Sequence, residues 1–138
     1  MNVDALERVR AAVATIRAAL PGVQAIYCFG STAAATDAPG SDLDLAVLAS
    51  QPLDPVVRFD LQEQLAAVVR RPVDLVDLRS ASPVMATQVL GAGELLDDAD
   101  PEARGLFEDR ALGSYARLNE ERRGILERVA AEGSVYGR

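Results

Sequence analysis

Phe29-Gly30-Ser31, followed ten residues later by Ser41-Asp42-Leu43-Asp44-Leu45, decides how this chain reads. The first stretch is an apolar strand ending in a Gly-Ser turn, and the second is a strand that carries two carboxylates. Side chains at i and i+2 of a strand share a face. Asp42 and Asp44 therefore point the same way, with Cα atoms roughly 6–7 Å apart, while Leu43 and Leu45 turn into the core. Two like charges this close stay ionised comfortably only with a cation between them. Mg²⁺, a hard ion normally shared with substrate phosphates, is the natural choice. Glycine lets a phosphate approach the backbone, and Ser31 offers a hydroxyl and an amide. If Ser31 opens a short helix, the unsatisfied amides there favour an anion. The pattern fits a nucleoside triphosphate held between Gly30-Ser31 and a metal-loaded Asp42-x-Asp44.

Phosphoryl-type displacement is helped by two metal ions about 3.5–4 Å apart, and three carboxylates suit such a pair. The run Val73-Asp74-Leu75-Val76-Asp77-Leu78 reads as another strand and offers two candidates, Asp74 and Asp77. Three residues apart on a regular strand, they face opposite sides. Asp74, in the apolar opening of the strand, is preferred as the third carboxylate; Asp77, near its end, is expected to turn outward or to form a cap.

Composition narrows the chemistry. The 138 residues are expected to form one domain, and 49% hydrophobic content is enough for a core. There is no histidine, which excludes Ser-His-Asp catalysis and histidine-metal sites. All fourteen basic residues are arginine. The absence of lysine excludes a P-loop, lysine Schiff bases, and the lysine that an Asp-x-Asp phosphatase uses beside its phosphate. A net charge of −7 disfavours direct nucleic-acid binding. No apolar run is long enough for a membrane span and no signal peptide is evident, so the cytoplasm is the expected compartment. The one cysteine, Cys28, cannot form an internal disulfide and reads as a core residue.

The elements alternate. Val3, Leu6, Val9, Val13, Ile16 and Leu20 recur at helical spacing, with Asn2 as a cap and Pro21-Gly22 as a stop. Strands are expected over 24–29, 42–48 and 73–78, and Glu94-Leu95-Leu96 as a short fourth. Asp54-Pro55 opens a helix whose buried face is expected to be Val57, Leu61, Leu65 and Val68. Ser82-Pro83 opens another, running to Leu90 and broken by Gly91 to Gly93. From Asp100-Pro101 a helical region, one kinked helix or two, extends over about 101–131, ahead of a frayed tail at 132–138. This is an α/β (α+β) domain: a small mixed sheet of three to four strands flanked by helices. Arg70-Arg71 reads as a solvated helix end and Tyr115 as core or interface.

Gly30-Ser31 with Asp42-x-Asp44, and their flanks, resemble the signature of the DNA polymerase beta-type nucleotidyltransferases. The run at 71–78, the Ser82-Pro83 helix and Gly93-Glu-Leu-Leu are similar to the minimal nucleotidyltransferases (MNT). The resemblance reaches to about Leu126. It implies a nucleotidyltransferase-like fold, with Asp42, Asp44 and Asp74 as catalytic metal ligands and Gly30 and Ser31 at the triphosphate. It implies Mg²⁺, two ions, with ATP as substrate. It further implies an antitoxin whose partner is a HEPN-type toxin, silenced by transfer of AMP to a tyrosine. A homo-oligomer, or a hetero-oligomer with the toxin, is compatible with this. Thr32-Ala33-Ala34-Ala35 departs from the basic residue and glycine often found after Gly-Ser, which puts the strength of ATP binding in question. Two other readings stay open: an antitoxin that neutralises by binding alone, and a nucleotidyltransferase acting on a small molecule.

Overall fold

The computed structural model describes residues 3–30 and 42–136, with side chains described through residue 131. Ser31, Ser41, the 32–35 turn and the Asn2 cap lie outside the described residues. The elements run α1 (Val3–Ala19), β1 (Ala25–Phe29), β2 (Leu43–Leu48), α2 (Pro55–Val69), β3 (Val73–Asp77), α3 (Pro83–Ala92), β4 (Glu94–Asp98) and α4 (Pro101–Tyr136). One four-stranded sheet has the order β3-β2-β1-β4. β1 pairs antiparallel with β2 and with β4, and β2 pairs parallel with β3. The parallel pair needs a crossover, and α2 provides it.

Strand alternation sorts the sheet residues onto two layers. Ile26, Cys28, Leu43, Leu45, Val47, Val73 and Leu75 face α1 and α2, where they meet Ala12, Ile16, Leu61, Leu65 and Val69. Ala25, Tyr27, Ala46, Leu48 and Leu78 face α3 and α4, where they meet Ala86, Val89 and Ala111. Both faces are covered, which is why β1 is an unbroken apolar run. Each fully buried leucine or isoleucine contributes about 1.5–3 kcal/mol.

The local signals at the helix starts match their sequence reading. The Asp54 side chain accepts from the Val56 amide at 2.8 Å and the Ser82 hydroxyl from the Met85 amide at 3.1 Å. Each is followed by proline at the first turn. Arg70 closes α2 in the left-handed conformation, its amide donating to the Ala66 carbonyl.

Several details differ from expectation. The buried residues of α1 are Ala5, Val9, Ala12 and Ile16, while Val3 and Leu6 are exposed. α2 buries Leu61, Leu65 and Val69, leaving Val57 and Val68 exposed. In both helices the buried residues follow strict 3–4 spacing, whichever their size. Gly91 does not break α3, which continues to Ala92 and ends as the Gly93 amide donates to Val89. α4 is one helix through Tyr136, past the expected start of a frayed tail.

The first part of α4 is pinned by polar contacts. Tyr27 donates its hydroxyl to Glu108 at 3.2 Å, and Arg104 bridges Asp98 and Glu108 at 2.8 and 2.7 Å. Farther along, Leu112, Ile125, Leu126 and Val129 are exposed. Among the described residues no helix is long and apolar enough to cross a membrane.

Candidate active site

β1 ends where β2 begins, at one end of the sheet. β1 runs out at Phe29, whose register partner on β2 is Asp44. On the other side of β2, Asp44 is in register with Asp74 of β3. By alternation Asp44 shares a face with Ala46 and Leu48, and Asp74 with Val76 and Leu78, so both lie on the α3/α4 side of the sheet. Asp42 precedes Asp44 by two residues and follows the same parity. Three carboxylates therefore lie at one corner: Asp42 and Asp74 exposed, Asp44 half-buried.

Their charges act on one another. Burial pushes the Asp44 carboxyl above its ordinary range, and the negative charges of Asp74 and then Asp42 push it the same way. The corner thus holds negative charge at a cost that a cation would relieve. Among the described residues no group of three acidic or cysteine side chains is drawn close enough to hold a metal ion by itself. Mg²⁺ does not require that, because it keeps several waters and takes one or two carboxylates together with substrate phosphates. Asp42 and Asp44, with Asp74 alongside, offer such a donor set.

Gly30 does more here than its sequence reading proposed. Its φ is +71°, a left-handed conformation that favours glycine. A Cβ at this position would overlap the Asp44 Oδ2 and come within 3.1 Å of its Cγ. The missing side chain is the space the Asp44 carboxylate occupies. The sequence held a signal for this, a glycine directly after an apolar strand, but not its target across the sheet. Ser31 lies outside the described residues.

Asp77 stands on the other face and is built into the fold. It is 5% exposed. Its carboxylate accepts from the Leu53 amide at 2.8 Å, the Arg79 amide at 3.1 Å and the Ser80 hydroxyl at 2.7 Å. It joins the loop before α2 to the turn after β3, and so neither turns outward nor caps a helix. Tyr115 is half-buried on α4. Cys28 is buried beside the site; burial, with the charges of Glu94 and Asp44, pushes its thiol up to about 11.

The family model described as polymerase beta, nucleotidyltransferase matches residues 13–102. Protein adenylyltransferase MntA of Shewanella oneidensis (strain MR-1) is 40% identical over 116 residues, which is 84% of this chain and 83% of that protein. A crystal structure of a toxin–antitoxin with AMP-PNP contains a chain 37% identical to this one, with a TM-score of 0.79. The match covers 88% of this chain and 98% of that one. A tri-AMPylated Shewanella oneidensis HEPN toxin in complex with MNT antitoxin gives a match at 34% identity and a TM-score of 0.76, covering 91% and 98%.

Proposed function

The chain belongs to the polymerase beta nucleotidyltransferase family, and from that premise we propose that it transfers AMP from ATP to a hydroxyl of a HEPN-type toxin and so acts as that toxin's antitoxin. The acceptor we assign is a tyrosine of the toxin. The observation that carries the reading is the register of Asp44 with Asp74, beside Gly30, in a chain 40% identical to a protein adenylyltransferase.

We assign Asp42, Asp44 and Asp74 to the metal and to catalysis, and Gly30 with Ser31 to the phosphates. Mg²⁺ bound there supplies charge neutralisation for the triphosphate and its leaving group. Asp74, the carboxylate on the outer strand, takes the proton of the incoming hydroxyl. The hydroxyl oxygen forms a bond to the α-phosphorus as the bond from that phosphorus to pyrophosphate breaks, and pyrophosphate carries away the electron pair. There is no covalent enzyme intermediate in this scheme, so positioning and electrostatics carry the acceleration. The absence of lysine and histidine is no obstacle, because the scheme uses carboxylates, backbone and a metal only.

The test is incubation with α-labelled ATP, Mg²⁺ and a HEPN-type toxin as partner. Label is expected on the partner, and is expected to disappear with a chelator. An intact partner that stays unlabelled refutes the proposal. The exposed apolar side chains on the outer length of α4 favour a second reading, neutralisation by binding. The double variant Asp42→Ala, Asp44→Ala separates the two: full neutralisation by that variant means that transfer is not the mechanism.

A further inference from the structure

β3 is an outer strand of the sheet, and an outer strand carries a row of peptide groups with no strand to bond. At Leu75 that row is answered by α2. The Gln62 Oε1 accepts the Leu75 N–H at 2.9 Å. Arg58 Nη1 donates to the Leu75 carbonyl oxygen at 3.1 Å and to Gln62 Oε1 at 3.1 Å. The two side chains are one helical turn apart, so they share a face of α2. Together they offer Leu75 the acceptor and the donor that a further strand would offer.

Leu75 is the residue after Asp74, and the two are in register with Leu45 and Asp44. The Asp74 side chain is exposed, so its place beside Asp44 is set by the backbone of β3. The contacts at Leu75 hold that backbone from its outer side, at the residue next to Asp74.

We propose that Arg58 and Gln62 are positioning residues for Asp74, a clamp on the outer edge of β3 that keeps the third carboxylate in register with Asp44. The inference rests on the assignment of Asp42, Asp44 and Asp74 to a metal site. Removing the clamp is expected to weaken metal binding and transfer without touching ATP contacts.

The experiment titrates Mn²⁺, an EPR-visible stand-in for Mg²⁺, into the full chain and into Gln62→Ala, Gln62→Glu and Arg58→Ala, at a temperature where each is folded. Gln62→Ala is expected to bind Mn²⁺ about tenfold more weakly and to lose about tenfold in kcat with KM for ATP unchanged, the scale typical of outer contacts to metal ligands. Gln62→Glu keeps the acceptor oxygen and is expected to recover most of both. A role in stability alone would lower Tm and leave Mn²⁺ affinity of the folded chain unchanged, and that result overturns the proposal. If Gln62→Ala does not fold, Arg58→Ala, which keeps the Gln62–Leu75 bond, carries the same comparison. A wild-type chain that binds Mn²⁺ but transfers no AMP refutes the proposed function and leaves the clamp to be decided by the Mn²⁺ affinities. A wild-type chain that binds no Mn²⁺ overturns the clamp along with the metal site.

Discussion

Gly30→Ala tests whether the glycine serves the phosphate or the carboxylate. Two penalties follow from the structure. At φ +71° an L residue is strained, which costs about 1–2 kcal/mol. The new Cβ would also overlap Asp44 Oδ2 and sit 3.1 Å from its Cγ and 3.4 Å from its Cβ. To escape, the carboxylate must swing away by about 1 Å, a misplacement that costs on the order of 10²-fold in rate when it falls on a reacting group. The expected loss of stability is about 1–3 kcal/mol. At roughly 3 °C per kcal/mol for a chain of this size, Tm should fall by about 3–9 °C.

A double-mutant cycle with Asp44→Ala assigns the cause. Without the Asp44 carboxylate, alanine at position 30 keeps the backbone strain and loses the overlap. The two changes should therefore couple, by about 0.5–3 kcal/mol in thermal or denaturant unfolding. A glycine needed only for close approach of phosphate predicts weaker ATP binding and no coupling with Asp44. Additive stabilities, or a Gly30→Ala enzyme with wild-type kcat for label transfer, would refute the reasoning.

Asp74→Asn and Asp77→Ala should separate cleanly: the first abolishes label transfer with little change in Tm, and the second lowers stability by about 2–4 kcal/mol because it strips the Leu53 and Arg79 amides of their acceptor. Comparable Tm losses in both would contradict the division. Asp44 has a folded pKa raised above its unfolded value, so the native state holds that proton more tightly and stability falls as pH rises through the window between the two values. Mg²⁺ competes with the proton; its stabilisation should be full above the raised pKa and fade as pH falls through it, so a Tm gain on adding Mg²⁺ that is the same at neutral pH and at about pH 4 would count against the site. Cys28, buried and with its thiol pushed up to about 11, should resist iodoacetamide at about pH 8 until the chain unfolds. Gly105→Ala meets nothing within 4 Å in α4 and should stabilise by about 0.5–1 kcal/mol with transfer unchanged.

The strands and helix starts were legible because their signals are local. β2 reads from its period of two, and Asp54-Pro55 and Ser82-Pro83 cap the helices they announce. The buried faces of the helices were not legible in the same way. Val3 and Leu6 look like core by type, yet Ala5 and Ala12 are the residues buried. A small side chain lets a helix approach closely, and that distance is set by the partner surface, which a single segment does not encode. The exposed valines of α2, Val57 and Val68, show the same effect.

Asp74 and Asp77 carry the argument further. Alternation alone puts them on opposite faces, and sequence favoured Asp74 on position in the strand. What sequence could not supply is the set of donors around each. Asp77 is buried with three hydrogen bonds from its own chain, so its charge is spent on joining the loop before α2 to the turn after β3. Asp42, Asp44 and Asp74 are instead set side by side, where burial, and then the charges of Asp74 and Asp42, push the Asp44 carboxyl up. A fold gains nothing from that arrangement in isolation, since like charges in register across neighbouring strands are destabilising. Under the proposed function, a cation and the phosphates it carries would offset that cost. The contrast is what separates the two aspartates of β3: the chain satisfies Asp77, and it leaves Asp74 exposed beside Asp44.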